Sequence, residues 1–90
     1  MPKVKNINGT SNRTAPAGYT SWLDYWEKKA SKKAYVCHAH SCSRTDLVGA
    51  HVKKVEGSDN SWYIVPICKE CNKATGDFNV IEPLVAVNPM

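Results

Sequence analysis

Tyr35-Val36-Cys37-His38-Ala39-His40-Ser41-Cys42 and Pro66-Ile67-Cys68-Lys69-Glu70-Cys71-Asn72 decide how this chain folds, because they hold all four of its cysteines. A Cys-x-x-Cys step sets two thiolates on one turn of chain, which suits Cys68 and Cys71. Cys37 and Cys42 are spaced more widely and form a looser knuckle that still closes on one ion. Zinc takes four such ligands in a tetrahedron, with Zn–S about 2.3 Å. With 25 residues between Cys42 and Cys68, the two pairs meet only if the intervening chain folds back on itself. The spacing therefore predicts a structural zinc ion on Cys37, Cys42, Cys68 and Cys71. Two disulfides are the other use of four cysteines. Inside the first knuckle, His38 or His40 is able to replace one thiolate in a Cys3His site.

The segment between the pairs has the composition such a fold-back needs. Leu47-Val48-Gly49-Ala50-His51-Val52 reads as a strand, with Gly49 marking a bulge or a close backbone approach. Lys53 to Asn60 is a loop by composition. Ser61-Trp62-Tyr63-Ile64-Val65-Pro66 is rich in aromatic and β-branched residues and reads as the partner strand of a hairpin. A short helix is expected from Cys68 through Lys73, stopping at Gly76. The remainder, from Asp77 onward, reads as extended, and Pro83 confines any strand there to an edge.

Upstream, Thr20 to Lys33 reads as an amphipathic helix. Ser21 is its N-cap, Asp24 stands three residues on, and Trp22, Tyr25 and Trp26 fall at i, i+3 and i+4 on one face. That aromatic stripe is expected to pack against the zinc module and enlarge a small core. Residues 1–18 are polar and almost without apolar side chains, so they read as a flexible tail. The expectation is thus a small α+β fold with a single zinc-binding domain over 19–90.

Ninety residues with a formal net charge of +4 give one small domain that needs an added constraint such as a metal. No apolar run reaches signal-peptide or membrane-span length. The expected setting is therefore cytoplasmic, where thiols stay reduced, and no membrane partner is expected. Lysines cluster at Lys28, Lys29, Lys32 and Lys33, again at Lys53 and Lys54, and again at Lys69 and Lys73. Basic clusters flanking the metal module permit a nucleic-acid partner. Lys53, Lys54, Lys69 and Lys73 are the expected contacts, with a protein partner as the other possibility.

Over residues 35–76 the chain resembles the HNH endonuclease family in its zinc-bearing, treble-clef form. The resemblance is carried by Cys37-x4-Cys42, by Gly49-Ala50-His51-Val52, and by Tyr63-Ile64-Val65-Pro66-Ile67-Cys68-Lys69-Glu70-Cys71-Asn72-Lys73. It implies a ββα module, a hairpin and then a helix, with structural zinc at its base. It also implies that His51 is the general base that activates water. Asn72 would stand near a separate catalytic divalent ion, Mg²⁺ or Mn²⁺. The chain departs from the family in two places. Ala50 stands where many members have a metal-binding aspartate, and Tyr63 stands where the middle asparagine falls. Asn60, three residues earlier, is its stand-in if the hairpin is shifted. A hard cation prefers carboxylate oxygens. The expectation is therefore a nucleic-acid- or protein-binding module with a degenerate nuclease site, the alternative being an active metal-dependent endonuclease using His51.

Overall fold

A computed structural model of the chain describes residues 2–7, 15–55 and 61–87. Five strands, β1 (Lys3–Asn6), β2 (Leu47–Lys54), β3 (Trp62–Cys68), β4 (Phe78–Asn79) and β5 (Val85–Val87), form one antiparallel sheet in the order β4-β1-β2-β3-β5. One helix, α1 (Trp22–Ala30), packs across β2, β3 and β5. Among the described residues no helix is long and apolar enough to cross a membrane.

The β2–β3 hairpin is the spine. Its register runs without a break from Leu47↔Cys68 to Lys53↔Trp62, so side chains alternate cleanly across the sheet. Ala50 and Val52 pair with Val65 and Tyr63 on one face. His51 pairs with Ile64, and Lys53 with Trp62, on the other. Val4, Ala50, Val52, Val65, Ile67 and Val80 pack with Cys37 and Cys68 into one core. The opposite face lies under α1, where Ile64 and Trp26 are buried. The core that holds Cys37 and Cys68 and the layer under α1 meet at the first knuckle, where Trp26 packs on His38.

Gly49 explains how close α1 sits. A methyl group built there would strike the peptide carbon of Trp22 and the nitrogen of Leu23, and would come 2.7 Å from the Trp22 carbonyl oxygen. Of the two expectations for Gly49, close approach holds, and the register passes through it with Pro66 opposite.

The helix starts as read. The Ser21 side chain accepts from the Asp24 N–H at 3.0 Å, and the Asp24 carboxylate accepts from the Thr20 N–H at 3.1 Å. It ends three residues earlier than composition suggests, at Ala30. Ser31 takes a left-handed conformation, φ 56°, and the Lys32 N–H turns back to the Glu27 carbonyl. The aromatic stripe packs on the hairpin face away from the cysteine core. Only Trp26 reaches the first knuckle: its indole meets the His38 ring at 5.2 Å, and its Nε1–H donates to the Pro83 carbonyl at 3.0 Å.

Two expectations are corrected. Residues 3–6, read as part of a flexible tail over 1–18, form β1 inside the sheet, so α1 follows a strand and is not the first element. The reason is pairing. Val4 is fully buried, and β1 bonds to β2 on one side and β4 on the other, so one apolar residue suffices. The helix expected after Cys68 is a single 3-10 turn, Cys71–Lys73, closed by the Lys73 N–H on the Glu70 carbonyl. The loop tip at 56–60, including Asn60, lies outside the described residues.

Candidate metal centre

Four thiols meet at one end of the hairpin. The first knuckle is built by backbone bonds: Cys37 N–H to the Arg44 carbonyl, His38 N–H to the Pro66 carbonyl, and Cys42 N–H to the Ala39 carbonyl. Ser41, at φ 66°, makes the left-handed turn that returns Cys42 toward Cys37. Cys68 ends β3, and the turn after it delivers Cys71. The Sγ atoms of Cys37, Cys42, Cys68 and Cys71 lie within 4.8 Å of one another. Cys42 and Cys68 are 3.8 Å apart, which matches the edge of about 3.8 Å that a tetrahedron with Zn–S near 2.3 Å requires. All four cysteines are free thiols.

N–H groups converge on the sulfurs. Cys68 N–H donates to Cys37 Sγ at 3.2 Å, and Cys71 N–H to Cys68 Sγ at 3.3 Å. Such donors favour thiolate over thiol. Without a cation they do not suffice. Burial pushes the Cys37 and Cys71 thiols up, Cys71 also because Cys68 and the other thiols crowd it. Burial raises Cys68 too, but the Cys71 N–H and the neighbouring thiols outweigh it and leave Cys68 lowered. Burial therefore opposes placing four negative charges on these sulfurs. A divalent ion is the group that makes four thiolates compatible with this volume. The set is consistent with structural zinc, and it fills a four-coordinate shell.

Neither histidine of the first knuckle joins this group. The His38 ring lies edge-on to Trp26, with Nδ1 3.1 Å from the Ile81 carbonyl oxygen. Burial lowers its pKa against the opposing pull of that carbonyl, and Lys32 lowers it further. His40 is exposed, its backbone N–H bonded to the Asn79 carbonyl.

Of the residues considered for catalysis, His51 and Asn72 have different surroundings, and Asn60 lies outside the described residues. His51 is buried at 5% exposure on the α1 face, with its ring 4.5 Å from that of Trp22 and 6.2 Å from that of Trp62, both edge-on. Asn72 is exposed on the 3-10 turn. That turn lies over the other face, because Asn6, which pairs with Val52, donates to its carbonyls. Ala50 faces the cysteine core and carries no carboxylate. The four lysines expected at a nucleic-acid contact do not share one face. Lys53 and Lys54 alternate across β2, with Lys54 Nζ 4.9 Å over the Tyr63 ring, and Lys69 and Lys73 flank the second cysteine pair.

One supporting residue was not legible. Asn6 Nδ2 donates to the carbonyls of Cys71 and Ala74, both at 3.0 Å, tying β1 to the second cysteine pair. In sequence it is one asparagine in a polar stretch, and nothing near it signals a role. Asn6→Ala is expected to cost about 1 kcal/mol, the worth of one partly buried and one exposed bond. A urea titration of the metal-loaded chain reads that cost, and a midpoint equal to wild type would show that the tie carries no energy.

No family model, no curated protein and no solved structure matches this chain.

Proposed function

We propose that the chain is a structural-zinc module that binds nucleic acid and does not cleave it. The observation that carries the first part is the closed set of four thiols, with Cys42 and Cys68 set at a tetrahedral edge of 3.8 Å. Four protein ligands leave no position for water or substrate, which is the signature of a structural ion. On this reading, knuckle, hairpin, second knuckle and short turn form a reduced treble clef of HNH type, with the terminal helix shortened to one turn.

Binding is favoured over cleavage by what surrounds His51. A general base must reach a water beside the scissile phosphate, whereas this imidazole is packed against Trp22. A hard cation finds no carboxylate at Ala50. Exposed lysines, Lys53, Lys69 and Lys73 among them, supply the charge for a polyanion.

Two measurements test the reading. Metal analysis of the purified chain should find one zinc per molecule. Fluorescence anisotropy with labelled DNA and RNA should show binding that weakens as salt rises from about 50 to 200 mM. Absence of binding to either at the lower salt would remove the nucleic-acid part. With Mg²⁺ or Mn²⁺ added, plasmid DNA is expected to stay intact. Nicking that vanishes in His51→Gln while zinc content holds would overturn the non-cutting reading.

A further inference from the structure

The strongest unexplained surface is the connector from α1 to the first knuckle. Tyr35 is 76% exposed, the most exposed large hydrophobic side chain among the described residues. A tyrosine normally buries its ring, since the ring is its main contribution to a core. Here the backbone on both sides is fixed while the ring stands out. The Ala34 N–H donates to Glu27 Oε2 at 2.8 Å, and the Cys37 N–H donates to the Arg44 carbonyl at 2.8 Å. Exposure of Tyr35 is therefore built into a held segment.

The chain leading to it is rich in cations. Lys28, Lys29, Lys32 and Lys33 are all exposed and lie within seven residues of Tyr35. The nearby acids are already engaged: Asp24 pairs with Lys28 at 3.2 Å, and Glu27 holds the Ala34 N–H. Among the described residues no carboxylate pairs with Lys29, Lys32 or Lys33, and Lys29 Nζ lies 5.8 Å over the Tyr25 ring.

We infer that Lys29, Lys32, Lys33 and Tyr35 form the contact surface for single-stranded nucleic acid, the lysines taking phosphates and Tyr35 stacking on a base. An exposed aromatic ring next to exposed cations that have no carboxylate partner matches the two components of sequence-tolerant single-strand binding. A duplex keeps its bases stacked on one another and offers an exposed ring nothing equivalent. The inference rests on the nucleic-acid reading above and assigns it a surface different from Lys53, Lys54, Lys69 and Lys73.

The test uses the full zinc-loaded chain with a short fluorescein-labelled oligothymidine and a duplex of equal length, at about 50 mM salt and above. The single strand should bind more tightly than the duplex. Tyr35→Ala should weaken single-strand binding roughly tenfold, within the range for loss of one stacked base, and Tyr35→Phe should restore it. Lys32→Glu with Lys33→Glu should reduce the salt slope by about 1.4, two contacts at about 0.7 each. Zinc content and circular dichroism should match wild type in every variant. If wild type binds but these variants bind equally well, this surface is wrong and the nucleic-acid reading stands. The surface is equally overturned if the duplex binds more tightly and Tyr35→Ala changes nothing. Should wild type bind no nucleic acid at low salt, both fall.

Discussion

Stripping the metal from the Cys37–Cys42–Cys68–Cys71 centre with a high-affinity chelator is expected to abolish cooperative folding of the chain. The four sulfurs join the 37–42 knuckle to the end of β3 and the turn after it, and two of them, Cys37 and Cys68, sit within the larger hydrophobic core. Structural zinc contributes about 10–16 kcal/mol in small fingers, against a total stability of about 5–15 kcal/mol for a whole domain. A loss of that size leaves nothing for the fold to stand on. The hairpin and α1 alone form a layer of helix and sheet whose other face would be exposed. Proton competition sets the pH trend. Burial holds the free Cys37 and Cys71 thiols above the ordinary range, and each must lose its proton to bind. Metal affinity, and the stability that depends on it, should therefore fall as pH falls. Near-ultraviolet circular dichroism is a direct readout, because Trp26 is buried with its ring against His38 of the first knuckle. A thermal transition unchanged by chelation, with metal analysis confirming its removal, would mean that the thiols merely pack.

The cysteine centre was legible because ligand spacing is a local property. Cys68-x-x-Cys71 fits one turn of chain whatever surrounds it, and the hairpin between the pairs is announced by its own β-branched and aromatic residues. The start of α1 was legible for the same reason, since Ser21 and Asp24 act within one turn. What sequence missed depends on contacts made at a distance. Lys3-Val4-Lys5-Asn6 has one apolar residue and no periodicity, yet it is a strand because β2 and β4 supply both rows of hydrogen bonds. The helix ran short because Glu27 spends its carbonyl and its carboxylate on Lys32 and Ala34 beyond the helix end. For His51 the neighbours in sequence fit either a catalytic histidine or one packed within the hairpin, and its surroundings in space, with Trp22 and Trp62 edge-on to it, come from outside β2. Which face of β2 receives the helix cannot be read from β2 alone.

Gly49→Ala is expected to destabilise the chain by about 3 kcal/mol, at the upper end of overpacking costs. Two effects oppose each other here. Replacing a strand glycine restricts the unfolded chain and should by itself stabilise by about 0.4–1 kcal/mol. The added methyl, however, would meet the backbone of Trp22 and Leu23, including the Trp22 carbonyl oxygen at 2.7 Å. Backbone atoms in the first turn of a helix cannot rotate aside as a side-chain tip can. The whole of α1 must lift from β2, loosening Trp22 from His51 and the Tyr25 hydroxyl from the Ala86 carbonyl, 3.3 Å away. Sterics therefore win over chain entropy. The four thiols are held by the backbone bonds of the first knuckle and by the end of β3 with the turn after it, and α1 touches them only through Trp26 on His38, so zinc content should stay at wild-type level while the denaturation midpoint drops. That split separates damage to the helix layer from damage to the metal centre. A Gly49→Ala midpoint within about 0.5 kcal/mol of wild type would show that α1 is free to slide, and the packing of Trp22 over His51 could then no longer be used against a catalytic role for that histidine.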